Sequence, residues 1–283
     1  MSNLKEIETR INAIARTSSI TQAMHNIAAS KLKKTTDLLT NYNQFMKELD
    51  GVLKDVAVKT GTHRYIAGKP IENPKILYIV VTGDRGLAGG YHQQIFKYLE
   101  TLQDKQEEPL NLLMIGKKGF YYAQRKKYNL LNSNFISNRD DLQTIYFGRY
   151  IEILKEEFIK ENIDEVRIIY NHFINSAQYD VQEESLLPIK LDEKKLKEVH
   201  QMTFEYDNNP ADVLESMITI YLQSRIFGLM VDGKLSELSA RMLAMKSATD
   251  NAKEVVKELN IIYHRARQQK ITTELIDIVN GSL

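Results

Sequence analysis

Cysteine is absent from this chain of 283 residues. Its absence excludes disulfide bonds, thiolate nucleophiles and thiolate metal sites, and it is compatible with a reducing cytosol. Long apolar runs are lacking as well, because no window approaches about 18 uncharged apolar residues, and the run "KILYIVVTG" is too short to span a bilayer. The first residues, "MSNLKEIETRINAIARTSS", have no apolar signal-peptide core. We therefore expect no direct insertion into a membrane.

An excess of either charge is also lacking, since Lys and Arg total 38, Asp and Glu total 37, and the formal net charge is +1. Such a balance gives no global field for nucleic acid or for a membrane surface. Hydrophobic residues make up 43% of the chain, which permits a sizeable core. The composition therefore predicts a globular protein that binds no nucleic acid.

The first residues predict one long helix, from Asn3 as its N-cap to about Lys59, before Gly61. Apolar residues recur at intervals of three and four, as in a coiled-coil seam. The seam positions assigned here include Ile11, Ile14, Leu38 and Phe45. The two halves of this helix differ in register by one residue, which predicts a seam that drifts across the middle.

A second long helix is predicted at the other end of the chain. Asn209 is a suitable N-cap, Pro210 suits the first turn, and Gly281 is a suitable stop after Asn280. The pair Asp232-Gly233 leaves two possibilities open, a helix that breaks there and one that continues to Asn280. The seam of this helix alternates intervals of three and four without a slip, through Leu235, Leu238, Met242, Met245, Thr249, Ala252, Val256, Leu259, Tyr263 and Ala266.

Each long amphipathic helix needs a partner for its apolar stripe. The simplest partner is the other one, so the sequence predicts a long antiparallel coiled coil of the N- and C-terminal helices. Small seam residues such as Thr249 and Ala252 would let the two backbones approach closely.

The middle of the chain changes character, because short β-branched runs alternate with amphipathic stretches. This pattern predicts an α/β insert domain, Rossmann-like, with a partly parallel sheet. The predicted organisation is a coiled-coil helix over 1–60, an α/β globular domain over 74–206, and a coiled-coil helix over 209–283 that pairs with the first.

No set of residues forms an assembled active site. The turn "GDRGLAGG" (83–90) follows a strand, where a phosphate loop would lie, but it lacks the P-loop and dinucleotide-binding patterns. We interpret it as a structural turn, with a nucleotide-binding loop as the alternative. The histidines are not spaced as metal ligands, so we expect neither a metal nor a cofactor on this chain.

Four stretches resemble the gamma subunit of F-type ATP synthases. They are "ITQAMHNIAASKL" (20–32), "VVTGDRGLAGGY" (80–91), "SARMLAMKSATDNA" (239–252) and "HRARQQKITTELIDIVNG" (264–281). The resemblance implies a central rotor shaft inside a ring of three alpha and three beta subunits, with the insert against an epsilon subunit and a membrane c-ring. It also implies ATP, ADP and Mg on partner subunits, no catalysis by this chain, and a peripheral location on the cytoplasmic side of a bacterial membrane.

By matching position, the resemblance implies contacts with the beta subunits. The implied contact residues are Met24, Arg241, Gln268 and Thr272, together with Ile271, Leu275, Ile276 and Val279 in an apolar sleeve. The chain departs from the family at Ser19, Gln22 and Asn26, where basic or apolar residues are usual.

Three alternatives stay open. The chain could be a gamma-like shaft of a specialised F-like ATPase with another output, and the departures favour this reading. It could be a non-enzymatic coiled-coil adaptor, or a free-standing enzyme that binds nucleotide at the turn 83–90.

Overall fold

The computed structural model describes residues 2–60, 63–66, 71–138, 148–160, 162–189 and 210–281. A long helix opens the described chain and another closes it, with strands and shorter helices between them. The elements are α1 (Ser2–Thr60), β1 (Ile76–Val81), α2 (Tyr91–Gln103), β2 (Asn111–Ile115), α3 (Lys117–Lys126), β3 (Asn129–Leu130), α4 (Gly148–Ile159), β4 (Glu165–Asn175), β5 (Gln178–Leu187) and α5 (Pro210–Gly281).

The described strands form one sheet in the order β3-β2-β1-β4-β5. Strand β1 is parallel to β2 and to β4, and β2 is parallel to β3. Strands β4 and β5 are antiparallel, as their short connection requires. The predicted combination of a partly parallel α/β insert and two long terminal helices is therefore confirmed.

Helices cover both faces of the sheet. Alternate residues of the central strand β1 point to opposite faces, so β1 contributes side chains to both. Leu77, Ile79 and Val81 pack with helix α4, the end of α1 and the first turns of α5. Tyr78 and Val80 pack with α2 and α3. This double cover explains why β1 is a continuous apolar run rather than an alternating one.

The chain divides into two compact units. The terminal unit contains residues 1–30 and 241–283, and the insert unit contains residues 31–240. The division falls inside both long helices. The assignment of domains to 1–60, 74–206 and 209–283 stays a prediction, since residues 190–209 lie outside the described part.

The predicted seam of α1 needs a correction. Leu38 and Phe45 are 42% and 50% exposed, so they do not lie in it. Buried and half-buried residues instead recur in one register with alternating intervals of four and three, namely Ile7, Ile11, Ile14, Ser18, Thr21, His25, Ala28, Leu32, Thr35, Leu39, Tyr42, Met46, Leu49, Leu53 and Val56. The seam therefore keeps one register along α1. Several of its middle positions are polar, which is why the apolar pattern alone does not reveal the register.

Of the two possibilities at Asp232 and Gly233, the structure shows the unbroken one, because helix α5 continues through both residues. Residues 231–240 are buried on every face, so surrounding elements support the helix where its own propensity is weak. The amphipathic stretch "DLQTIYFGRYIEILKEEFIKE" (141–161) predicts a helix, which begins at Gly148 in the described residues. Residues 141–147 lie outside the described part, as does "MTFEYD" (202–207), which predicts a strand. Among the described helices, none is both long and apolar enough to cross a membrane.

Candidate functional site

The helix pair of the terminal unit is joined by polar contacts at its seam. The hydroxyl oxygens of Thr21 and Thr249 lie 2.7 Å apart, and the Thr249 hydroxyl also contacts the Met245 carbonyl oxygen at 2.8 Å. His25 Nδ1 donates a hydrogen bond of 3.0 Å to the Met242 carbonyl oxygen. From the first of these contacts to the second, the residue number rises on α1, from 21 to 25, and falls on α5, from 249 to 242. The two helices are therefore antiparallel.

Small side chains occupy the centre of this pair. Thr249 and Thr21 are 1% and 9% exposed, and Ala28 and Ala252 are 2% and 9% exposed. Such side chains can be buried in this way only where the two backbones approach closely. Eight further seam positions assigned from sequence are buried or half-buried, and Leu235 and Leu238 among them belong to the insert unit: Ile11, Ile14, Leu235, Leu238, Met242, Met245, Val256 and Leu259.

The last turns of α5 present apolar side chains to solvent. Every residue from Arg267 to Asn280 is exposed. Four of the residues implied as an apolar sleeve lie here, and they are 46% to 59% exposed: Ile271, Leu275, Ile276 and Val279. Ile278 is 68% exposed. Exposed apolar residues concentrated on one segment mark a surface that another molecule covers.

The other implied contact residues lie apart along the terminal unit. Met24 on α1 and Arg241 on α5 are half-buried, next to the contact between His25 and Met242. Gln268 and Thr272 lie on the exposed end of α5, one helical turn apart, where the Thr272 hydroxyl bonds the Gln268 carbonyl oxygen at 2.9 Å. The structure therefore distributes these residues over two places on the helix pair.

Gln22 and Asn26, where the resemblance implies other residue types, contact each other. Gln22 Nε2 donates a hydrogen bond of 3.2 Å to Asn26 Oδ1 on the exposed side of α1. Both side chains are exposed, so this surface of the terminal unit is polar and uncharged at these positions.

The turn 83–90 is held by one carboxylate of the insert unit. Asp84 Oδ1 accepts from the backbone N–H groups of Lys117 and Asn138 at 2.9 and 3.1 Å, and Oδ2 accepts from the Ser137 hydroxyl at 2.6 Å. These three hydrogen bonds tie Asp84 to other segments of the insert unit, so its carboxylate holds the turn in place. The hydrogen bonds support the structural interpretation of this turn.

A buried ion pair of α5 lies against the same turn. Lys234 Nζ donates to Glu237 Oε2 and to the Asn138 carbonyl oxygen, each at 3.0 Å. The two side chains are only 4% and 2% exposed. A Cβ atom added to Gly83 would lie 2.7 Å from the Glu237 carboxyl carbon, so a side chain at this position would displace the carboxylate.

Three further polar side chains of α5 bond strand β4 and the turn after it. Asp232 accepts from the backbone N–H of Phe173 at 2.8 Å and contacts His172 Nδ1 at 2.6 Å. The hydroxyls of Ser236 and Ser239 donate to the carbonyl oxygens of Asn171 and Ser176 at 2.8 and 2.6 Å. We name Asp232, Lys234, Ser236, Glu237 and Ser239 the polar joint.

Burial raises the pKa of Asp232, although its hydrogen bonds from Phe173 and His172 act in the opposite direction. The folded chain therefore holds a proton at this carboxyl more tightly than the unfolded chain does. The stability that this tighter proton binding gives the folded chain is fully present below the pKa that Asp232 has in the unfolded chain. It is lost as pH rises through the pKa that Asp232 has in the folded chain.

Sequence reasoning missed the polar joint. The sequence contains a signal for it, because "DGKLSELS" (232–239) places charged and hydroxyl side chains on all sides of a helix whose other residues form an apolar seam. No rule of spacing connects those residues to strand β4 or to Asn138. Within the described residues, no cluster of three or more potential metal ligands occurs.

Comparison with known proteins bears on the whole chain. The family model described as ATP synthase matches residues 3–282. The ATP synthase gamma chain of Halothermothrix orenii is 32% identical over 287 aligned positions, covering 100% of this chain and 99% of the relative. This chain belongs to the ATP synthase gamma chain family. The gamma chain of a Sulfurihydrogenibium species is 33% identical, with 98% and 97% of the two chains covered.

Solved structures share the fold of the family. A chain from the mitochondrial ATP synthase of Euglena gracilis aligns with a TM-score of 0.68 at 15% identity, covering 98% of this chain and 93% of that one. A chain from the central stalk and c-ring structure of the Tetrahymena thermophila enzyme aligns with a TM-score of 0.61 at 22% identity, covering 81% and 99%. At these identities the likeness concerns the fold.

Proposed function

We propose that this gamma chain is the central shaft of a rotary F-type ATP synthase and couples its own rotation to the conformational cycle of catalytic beta subunits. The full-length match to gamma chains carries the proposal. The antiparallel helix pair with small seam residues supports it, because a slender pair can turn inside a close-fitting ring. Differential contacts with the ring would then favour a different state of each beta subunit in turn.

The exposed end of α5 is the surface that such a ring would cover. Leu275 and Ile278 are 57% and 68% exposed and lie one turn apart on the helix. Residues of this type are stabilised by removal from water, at roughly 25 cal/mol per Å² of apolar surface. In the proposed complex, Ile271, Leu275, Ile276 and Val279 contact an apolar sleeve of the alpha and beta subunits.

The polar contacts would lie elsewhere on the shaft. We assign Met24, Arg241, Gln268 and Thr272 to loops of the beta subunits. Arg241 and Gln268 would donate hydrogen bonds, and Met24 would pack against them. Such contacts must break at every step, which suits single hydrogen bonds better than large apolar areas.

The remaining partners follow from the same proposal. The insert unit would face an epsilon subunit and the c-ring, at the cytoplasmic face of a bacterial membrane. ATP, ADP and Mg would bind the alpha and beta subunits, and this chain would supply no catalytic group. It would transmit rotation between the c-ring and the catalytic sites of the beta subunits, neither of which is part of this chain.

Co-expression of the full chain with alpha and beta subunits tests the proposal. We expect co-purification, ATP hydrolysis by the complex and rotation of a bead attached to the insert unit. The chain alone should not hydrolyse ATP. Hydrolysis by the isolated chain, or its failure to associate with alpha and beta subunits, would contradict the proposal.

The substitution Ile276→Asp locates the contact. Placing a charge on the exposed end of α5 should prevent stable assembly, whereas Ile220→Asp is the matched control. Ile220 lies on the same helix and is 51% exposed, against 53% for Ile276. Equal assembly of the two variants would show that the apolar end is not the contact surface.

A second candidate keeps the shaft but changes its output to that of a specialised F-like ATPase. The observation that favours it is the uncharged pair of Gln22 and Asn26, which contact each other at 3.2 Å. Purification of the native complex separates the two candidates. An epsilon subunit and a c-ring would support the synthase, and other partners would support the specialised ATPase.

A further inference from the structure

A tyrosine of α1 enters a gap in the surface of α5 within the insert unit. The Tyr42 hydroxyl donates a hydrogen bond of 2.6 Å to the carbonyl oxygen of Ser224. Gly228 lies one helical turn further along α5, where a Cβ atom would meet the same phenol ring. The phenol therefore lies on the turn of α5 between residues 224 and 228.

Only glycine permits this approach. A Cβ atom added to Gly228 would lie 2.0 Å from Tyr42 Cε1 and 2.1 Å from Cζ. No Cβ contact is that short, so the ring would have to leave its place and lose its bond to Ser224. Glycine costs about 1 kcal/mol relative to alanine inside a helix, so its presence here needs a compensating contact.

The surroundings hold the ring in a single position. The ring of Phe227 packs edge-on to it, with centroids 5.9 Å apart. Burial raises the pKa of Tyr42, so the hydroxyl stays protonated and remains a donor. A rigid ring that fills a one-residue gap and bonds the floor of that gap resists both sliding and rotation of one helix against the other.

We propose that Tyr42 and Gly228 form a lock that fixes the register of α1 against α5, and that this lock transmits torque between the two helices of the shaft. The lock is a feature of the fold, and the torque rests on the proposed function. Tyr42 is thus a positioning residue, since it contacts neither nucleotide nor a partner in this proposal.

The first experiment measures thermal unfolding of the full chain. Gly228→Ala should lower Tm by at least about 3 °C, because overpacking destabilises. Gly51→Ala in α1 is the matched control, since nothing lies within 4 Å of a Cβ added there. That control should leave Tm unchanged or raise it.

Reciprocal rescue makes the test specific. Once Tyr42→Leu removes the phenol, adding Gly228→Ala should cost nothing further, whereas the same change costs several degrees beside Tyr42. Tyr42→Phe keeps the ring and should retain part of the effect. If Gly228→Ala is equally harmful with and without Tyr42, the lock is overturned.

A distance measurement reads the register directly. The chain has no cysteine, so two introduced cysteines at exposed Gln44 and Asp212 carry spin labels specifically. These sites lie roughly 15–20 Å apart along the helix axis. Loss of the lock in Tyr42→Leu should broaden the distance distribution, and Gly51→Ala should not. An unchanged distribution overturns the proposal.

Rotation under load separates the lock from the proposed function. In a complex that hydrolyses ATP, Tyr42→Leu should reduce the torque at which rotation stalls, with the unloaded ATPase rate retained. An unchanged stall torque overturns the transmission of torque by the lock. If the unaltered chain fails to rotate at all, the proposed function fails, while the unfolding and distance tests still decide the register.

Discussion

Two regions of α5 reverse the usual relation between polarity and exposure. The polar joint is buried, with every member 8% exposed or less. The end of the same helix, from Arg267 to Asn280, is exposed although it carries Ile271, Leu275, Ile276, Ile278 and Val279. The helix therefore buries charge in one region and exposes apolar surface in the other.

The difference lies in where each region finds its partners. A buried polar group is costly unless it is hydrogen-bonded. Four members of the polar joint bond other segments of the insert unit, and Glu237 accepts from Lys234 within the joint. The exposed end has no such internal cover in the described residues. The polar joint therefore stabilises the fold of this chain. Under the proposed function, another chain covers the exposed end of α5.

The largest test of this comparison is Glu237→Leu. Removing one member of a buried ion pair leaves Lys234 as an uncompensated charge, which costs about 3–5 kcal/mol of unfolding free energy. Urea unfolding of the full chain followed by circular dichroism measures the loss.

The double variant Lys234→Met/Glu237→Leu is the control. Replacing both members of a buried pair by apolar residues is often nearly neutral, so the double variant should be much more stable than Glu237→Leu. If the double variant is the less stable of the two, the ion pair is not the reason for the loss.

A smaller effect is expected in the terminal unit from Thr249→Val. The substitution keeps the shape but removes a hydroxyl that contacts Thr21 at 2.7 Å. Loss of one neutral hydrogen bond costs about 1 kcal/mol, because the Thr21 hydroxyl loses its partner across the seam. Thermal unfolding of the full chain measures the change.

Adding Thr21→Val tests the cause. When both partners become apolar and keep their shape, the cost can nearly vanish. The double variant should therefore recover most of the stability of the unaltered chain. Additive losses from the two substitutions would instead indicate that the hydroxyls act independently.

Much of the fold could be predicted from the sequence, because periodicity and turn residues act locally. Helix α2 coincides with the amphipathic stretch "YHQQIFKYLETLQ", and strand β2 lies within the apolar run "LNLLMIG". The seam of α5 was visible because its apolar residues alternate without a slip. The resemblance to gamma subunits rested on short strings that the full-length comparison then supported.

The features that sequence reasoning missed depend on contacts between distant residues. The apolar pattern predicts the wrong register for α1 because Ser18, Thr21 and Thr35 lie in the seam, where apolar residues are usual. The contact of Lys234 with Asn138 joins positions far apart in the chain. From sequence alone Gly228 is only a residue of low helix propensity, whereas the structure places the Tyr42 ring in the space that its missing side chain leaves.

The smallest effect on stability is expected at the exposed end of α5, from Ile278→Asp. Its side chain is 68% exposed, so the folded chain gains little from burying it, and the unfolding free energy should change by less than about 0.5 kcal/mol. Urea unfolding beside Glu237→Leu compares the two regions directly, at polar and apolar positions of one helix. A loss at Ile278 as large as the loss at Glu237 would mean that this chain itself covers the apolar end, and the contrast between the regions would disappear.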